Sequence, residues 1–203
     1  MNLTLKESLV TRSRVFSPWT AFYFLQSLLI NLGLGYPFSL LYTAAFTAIL
    51  LLLWRTLPRV QKVLVGISSL VAACYFPFAQ AYGAPNFNTL LALHSTNMEE
   101  STEILTIFPW YSYLVGIFIF ALGVIAIRRK KESEKARWNT FDSLCLVFSV
   151  ATFFVAPVQN LAWGGVFKLK DTGYPVFRFA KDVIVNNNAV SYTHLRAHET
   201  VLD

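Results

Sequence analysis

Four long stretches of the sequence contain no Asp, Glu, Lys or Arg. They run from Val15 to Trp54, from Val63 to Met98, from Ile104 to Ile127 and from Ser143 to Phe167. At about 1.5 Å per helical residue, each stretch is long enough to cross the hydrocarbon core of a bilayer, which is roughly 30 Å thick. Only 14% of the residues are charged, whereas a soluble domain has about 25%. The pattern predicts an all-α integral membrane protein.

The first uncharged stretch is too long for a single span, because as one helix it would reach about 60 Å. The sequence Gly-Leu-Gly-Tyr-Pro at residues 33–37 has the composition of a turn and divides it. The stretch is also too long to be a cleaved signal peptide. The sequence therefore predicts five transmembrane helices, at about residues 16–32, 38–54, 63–81, 111–127 and 141–162.

The basic residues are distributed asymmetrically around these predicted spans. One group precedes the first span, another lies between the second and third spans, and a third lies between the fourth and fifth spans. They consist of Lys6, Arg12, Arg14, Arg55, Arg59, Lys62, Arg128, Arg129, Lys130, Lys131, Lys135 and Arg137. No Lys or Arg lies in the connections 33–37 and 81–110. The positive-inside rule therefore predicts a cytoplasmic N-terminus and an extracytoplasmic C-terminal end.

The remaining composition argues against several other functions. The net charge of +6 comes mainly from the membrane-flanking residues, and no basic strip is interleaved with aromatic residues, so no nucleic-acid partner is expected. Cys74 and Cys145 lie inside predicted spans, where cysteine behaves as a small hydrophobic residue. His194 and His198 have the helical spacing of zinc ligands, but a third ligand is missing. We therefore expect no metal site in this chain.

An acidic, hydroxyl-rich segment, HSTNMEESTE, occupies residues 94–103 of the predicted connection 82–110. Apolar residues at helical spacing on both sides of it predict amphipathic helices that lie in the membrane interface on the periplasmic side. Thr96 or Asn97 could cap the second of these helices, with Glu99 or Glu100 near its positive end. One hypothesis gives the segment only this capping and solvating role. The other makes it part of a ligand site.

The order of these features resembles the membrane domain of the phosphoethanolamine transferases, inner-membrane enzymes of Gram-negative bacteria with a sulfatase-like periplasmic domain. Family members have a Thr-Asn/Asp-x-x-Glu-type segment at this point, and residues 96–100 read Thr-Asn-Met-Glu-Glu. Three sequences resemble most closely the members that decorate osmoregulated periplasmic glucans. They are MNLTLKESLVTRSRVFSPWTAFYFLQSLLINLGLGYPFSLLY, NTLLALHSTNMEESTEIL and WGGVFKLKDTGYPVFRFAKDVIVNNN. The resemblance covers residues 1 to about 189.

This resemblance implies transfer of phosphoethanolamine from the membrane lipid phosphatidylethanolamine to a threonine nucleophile, assisted by zinc, and then to a periplasmic acceptor, with glucan favoured over lipid A. It implies that the membrane domain holds the lipid donor. Glu100 would border the donor site, with Asn97 and Thr96 beside it, and its carboxylate can pair with the ammonium of the headgroup. At a position where some family members have an asparagine, this chain has Ala92. Asn88 or Asn97 could substitute for that asparagine.

The resemblance also implies parts that this chain lacks. The family's zinc ligands and nucleophile lie beyond the last span, so we expect no catalytic residue, no cofactor and no activity in this chain alone. The predicted divisions are a five-helix membrane domain at 1–163, a periplasmic amphipathic bridging helix within 164–190, and a tail at 191–203. In the bridging helix, Arg178, Lys181 and Asp182 are predicted opposite an apolar face that includes Phe177 and Ile184.

The tail SYTHLRAHETVLD resembles translated sequencing-adaptor sequence, and we expect it to be non-native. Two further hypotheses stay open from the residues themselves. One is a small non-enzymatic integral membrane scaffold protein that ends near residue 190. The other is a transporter component, for which the candidate polar or helix-interrupting residues are Gln26, Asn31, Pro77 and Pro157.

Overall fold

The computed structural model of the protein describes residues 18–95, 103, 106–129, 138–166, 168 and 172–199. Within these residues the chain is helical and contains no strand, so the predicted all-α class is confirmed. The helices are α1 (Pro18–Gly33), α2 (Leu40–Thr56), α3 (Pro58–Tyr82), α4 (Phe87–Ser95), α5 (Trp110–Arg128), α6 (Thr140–Ala162) and α7 (Pro175–Glu199).

Three of these helices, α3, α5 and α6, are long and apolar enough to cross a membrane. Helix α2 is apolar but has only 17 residues. Helices α1 and α2 coincide closely with the first two predicted spans, and the turn between them lies at the predicted position. The prediction of a membrane protein is therefore supported by three helices, while the count of five spans stays a prediction.

Helix α1 lies at the centre of the bundle and contacts α2, α3, α5 and α7. The most extensive helix pair is α3 with α5, and α6 packs on the opposite side against α2. The central buried side chains include Tyr23 and Ile30 of α1, Phe46 of α2, Val65 of α3 and Ile119 of α5. Because lipid is as apolar as these side chains, close packing and interhelical hydrogen bonds must supply much of the association energy between helices.

Small residues allow the close approach of α3 and α5. A Cβ atom added at Gly116 would lie 2.7 Å from the carbonyl oxygen of Ala73, and one at Gly123 would lie 2.6 Å from the Cβ of Ser69. At Gly66 the nearest atom would instead be Cδ1 of Ile127, at 3.0 Å, which is the flexible end of a side chain. Gly116 and Gly123 therefore limit the separation of the two helices, and Gly66 does so much less.

We expect Gly116→Ala to lower the free energy of unfolding by about 1–3 kcal/mol, because the new methyl group meets backbone that cannot move alone. The matched variant Gly66→Ala should be neutral or slightly stabilising, since both positions gain the same helix propensity, about 0.5–1 kcal/mol. Thermal unfolding followed by circular dichroism in detergent measures both. Equal effects of the two substitutions would contradict the role given to Gly116.

Polar side chains inside the bundle pair with one another across helices. Gln26 donates to the hydroxyl of Ser69 at 3.0 Å, and Asn31 donates to the hydroxyl of Thr43 at 3.0 Å. Gln61 donates to the hydroxyl of Tyr23 at 3.2 Å. Such hydrogen bonds contribute to helix association in a membrane. The two amides considered for a transport path, Gln26 and Asn31, thus join α1 to α3 and to α2.

One end of the bundle, which we call the basic end, is held by charged and aromatic side chains. Arg55, at the end of α2, forms an ion pair with Asp142 in the first turn of α6. The guanidinium carbon of Arg129, just after α5, lies 4.1 Å from the ring centroid of Trp19 and 4.2 Å from that of Trp54. Cation–π contacts of this kind stabilise by about 0.5–2 kcal/mol. These contacts join α1, α2, α5 and α6 at this end.

Candidate functional site

The predicted donor-site residues Thr96, Asn97 and Glu100 lie outside the described residues. The structure does show the helix that leads directly to them. Helix α4 begins after Asn86, whose side-chain oxygen accepts a hydrogen bond from the backbone N–H of Thr89 at 3.0 Å. An asparagine in this position satisfies one of the free N–H groups of a helix start. Helix α4 ends at Ser95, the residue before Thr96.

Helix α4 packs against α7. The two helices come from the predicted connection 82–110 and from the segment after α6, which are far apart in the sequence. Phe87, Leu90 and Leu91 are partly buried, whereas Asn88 and Ala92 are exposed. The helix that leads into the acidic segment is therefore in contact with α7.

The turn between α1 and α2 lies beside the end of α3. Gly35 has a φ of +79°, a conformation that favours glycine, and an added Cβ would collide with the backbone of Gly83. The hydroxyl of Tyr75 donates to the carbonyl oxygen of Gly83 at 2.9 Å. The residue after Gly35 is Tyr36, which contacts α7.

Four residues form what we call the Tyr36 cluster: Tyr36, Arg178, Lys181 and Asp182. The hydroxyl of Tyr36 donates to Oδ2 of Asp182 at 2.7 Å. Nε of Arg178 lies 3.6 Å from Oδ2 of Asp182, and Nζ of Lys181 lies 3.9 Å from Oδ1. The Arg178 guanidinium is also 4.9 Å from the centre of the Tyr36 ring. The cluster attaches α7 to the α1–α2 turn.

The protonation state of Tyr36 follows from its surroundings. Burial raises the pKa of the Tyr36 phenol well above its usual 10.0, and the neighbouring Asp182 carboxylate raises the pKa further. The phenol therefore stays neutral and acts as a hydrogen-bond donor at physiological pH. Arg178 is paired with Asp182, but its side chain is 51% exposed. A guanidinium exposed in this way can also meet an anion that approaches from water.

The start of α7 is anchored separately. The hydroxyl of Tyr174 donates to the carbonyl oxygen of Ser149 in α6 at 2.9 Å. Its ring packs against Tyr42 and Phe153, with centroids 5.9 Å and 6.2 Å away. Burial raises the pKa of Tyr174 to about 12, so this hydroxyl is also a donor. Helix α7 is thus held to α2 and α6 at its start and to the α1–α2 turn through the Tyr36 cluster.

Helix α7 turns Asp182 toward the bundle. Asp182 lies opposite the exposed Phe177 and Ile184, as the periodicity predicts, but the sequence did not predict that the side with Asp182 would face the bundle. The reason is that Tyr36 offers a hydrogen bond from a position 146 residues away in the sequence. The periodicity of α7 alone contains no information about this partner. The Gly-Tyr-Pro turn marked the position of Tyr36 but not its contact.

A pocket of about 450 Å³ lies at the C-terminal end of α6. It is lined by Gln159, Asn160, Trp163, Gly165, Val166 and Lys168. The helix ends here because Gly164 adopts a φ of +79° and the backbone N–H of Gly165 donates to the carbonyl oxygen of Asn160 at 2.9 Å. The side chain of Trp163 is 90% exposed.

The described residues do not offer a site for zinc. Among them, no three His, Cys, Asp or Glu side chains lie close enough to hold a metal ion. Cys74 and Cys145 are both free thiols, the first exposed and the second buried. The zinc that the resemblance implies does not fit the part of the chain that the structure describes.

Comparison with known proteins gives one informative match. Over 190 residues the chain is 98% identical to the phosphoethanolamine transferase OpgE of Escherichia coli strain K12. The match covers 94% of this chain but only 36% of the relative. No family model and no solved structure matches the chain. The predicted resemblance to a phosphoethanolamine transferase is therefore confirmed.

Proposed function

We propose that this chain is the membrane-anchoring and lipid-donor-binding part of a phosphoethanolamine transferase. The whole protein would move phosphoethanolamine from phosphatidylethanolamine to a periplasmic acceptor, with a glucan favoured. The observation that supports the proposal most is the 98% identity to a phosphoethanolamine transferase over nearly the whole chain. The chain spans only 36% of that relative, so the catalytic zinc and the nucleophilic threonine would belong to the remainder.

The proposed arrangement has five spans in the bacterial inner membrane, with a cytoplasmic N-terminus and a periplasmic C-terminal end. Two structural observations support it. Helices α4 and α7 pack together, so the two segments assigned to the periplasm lie on the same side of the bundle. Arg55, Arg129 and Asp142 lie at the basic end, near the positively charged connections that the positive-inside rule assigns to the cytoplasm.

Reporter fusions test this topology. A reporter that is active only in the periplasm should give full activity when fused after Asn187 and none when fused at Glu134. The reason is that the basic connection between α5 and α6 resists translocation. The ratio of reporter activity to fusion-protein amount, measured by immunoblot, is the readout. Reversed activities would overturn the orientation, and equal activities would overturn the span count.

The donor headgroup is zwitterionic, and the proposed site offers both complementary charges. Glu100, with Asn97 and Thr96 beside it, would pair with the ammonium group. The proposed location of these three residues near α7 is supported by α4, which ends one residue before Thr96 and packs against α7. Helix α7 presents Arg178, whose exposed guanidinium suits a phosphate.

The function is tested by completing the protein. The reading frame that continues beyond Val190 in the source genome should encode a sulfatase-type domain with a threonine nucleophile and Asp and His zinc ligands. The completed protein should transfer labelled phosphoethanolamine from phosphatidylethanolamine to a glucan, and the 203-residue chain alone should not. A stop codon shortly after Val190, or a completed protein without transfer, would contradict the proposal.

A further inference from the structure

The pocket at the end of α6 lies on the side of the helix that faces the bundle. Ser149 and Thr152 of α6 are buried against its neighbours. Gln159 and Trp163 follow Thr152 at intervals of seven and eleven residues, which returns a helix to nearly the same face. The exposed apolar side chains Val158 and Leu161 point in other directions. The α6 side chains that line the pocket therefore continue the bundle-facing side of the helix beyond its buried part, where Gln159, Asn160 and Trp163 are all exposed.

This orientation bears on the role of Trp163. A tryptophan that anchors a helix in the membrane interface lies on the lipid-facing side. Trp163 instead lines the pocket with its side chain 90% exposed. A large, exposed ring that lines a pocket is a surface on which another flat, partly apolar group can stack.

The other lining groups define the ligand chemistry. Gln159 and Asn160 each offer an amide oxygen that accepts and an NH₂ group that donates, a combination that suits neighbouring hydroxyl groups. Among the residues that the structure describes there, no carboxylate lines the pocket, and Lys168 is the charged group. A sugar ring presents hydroxyl groups at its edge and C–H groups on its face. Amides beside an exposed indole match both features.

We infer that this pocket binds the polyhydroxyl acceptor of the transfer reaction, a glucan chain, with Trp163 stacked on a sugar ring and Gln159 and Asn160 bonded to its hydroxyl groups. The role of the bound glucan as acceptor rests on the proposed function. The binding of a gluco-oligosaccharide to the pocket does not. The pocket belongs to α6, whose N-terminal end pairs with Arg55 at the basic end. Its C-terminal end therefore lies on the side opposite the proposed cytoplasmic face.

The test measures binding of a neutral gluco-oligosaccharide to the 203-residue chain by equilibrium dialysis, in a detergent without a sugar headgroup. Trp163→Ala should weaken binding at least five-fold, since aromatic stacking and its buried area are lost. The matched control is Trp110→Ala, because Trp110 is also exposed, at 73%, but lies at the start of α5. That variant should bind like the unchanged chain. Lys168→Gln should have little effect on a neutral ligand.

Two results would overturn the inference. One is equal oligosaccharide binding by the Trp163→Ala and Trp110→Ala variants. The other is binding of glycerophosphoethanolamine in place of the sugar, lost in Lys168→Gln, which would make the pocket a phosphate site. Because dialysis needs no catalytic domain, its outcome is separate from the transfer assay of the completed protein. If the completed protein transfers nothing, the bound sugar is not an acceptor, but the pocket is still a sugar-binding site.

Discussion

Asp142→Ala is expected to lower the free energy of unfolding by about 3–5 kcal/mol, because it removes the carboxylate that pairs with the partly buried Arg55 guanidinium. The Asp142 side chain is only 4% exposed and that of Arg55 20% exposed. Removal of one member of such a pair costs far more than the pair itself contributes, since the remaining charge stays desolvated. Urea unfolding in detergent micelles, followed by circular dichroism, measures the change.

The control must separate the ion pair from helix capping. Asn139 and Asp142 form a capping box at the start of α6, in which the backbone N–H of Asn139 donates to Oδ2 of Asp142 at 3.0 Å. Asn139→Ala removes the cap but keeps the ion pair, and should cost only about 1 kcal/mol. Glu103→Ala, at an exposed carboxylate, should stay within about 0.5 kcal/mol of the unchanged protein. If Asp142→Ala costs no more than Asn139→Ala, the ion pair has no part in stability.

Local composition was sufficient to predict the helices of the bundle. Charge-free runs gave the regions of α3, α5 and α6, because the length and apolarity of a span are properties of one segment. The break between α1 and α2 was predicted from turn residues, and Gly35 adopts the positive φ that such a turn requires. These features depend on neighbouring residues only.

The contacts between distant segments could not be predicted in the same way. The ion pair of Arg55 with Asp142 joins residues 87 positions apart, and the hydrogen bond of Tyr36 to Asp182 joins residues 146 apart. Each forms because packing brings two helix ends together, and no periodicity within one helix encodes that. In the candidate site, too, local sequence predicts a helix but not the contacts of the residues that follow it. The helix before Thr96 is described, and the roles of Thr96, Asn97 and Glu100 stay predictions.

Glu100→Ala in the completed protein should lower phosphoethanolamine transfer roughly ten- to hundred-fold. A hydrogen bond to a charged group contributes about 1.5–3 kcal/mol, and this variant removes the carboxylate proposed to hold the ammonium of the donor. Transfer of labelled phosphoethanolamine from vesicles by purified protein is the measurement. Membrane insertion should be unchanged, because the substitution removes a charge from a connection that already contains other acidic residues.

Glu103→Ala is the matched control, since it removes a carboxylate from the same connection three residues later, where the side chain is exposed. Glu100→Gln sharpens the comparison, because it keeps the size of the side chain and loses only the charge. If the ammonium is paired at this position, Glu100→Gln should lose nearly as much transfer as Glu100→Ala, while Glu103→Ala keeps it. Normal transfer by Glu100→Ala would remove Glu100 from the donor site. The capping and solvating role would then account for the acidic segment.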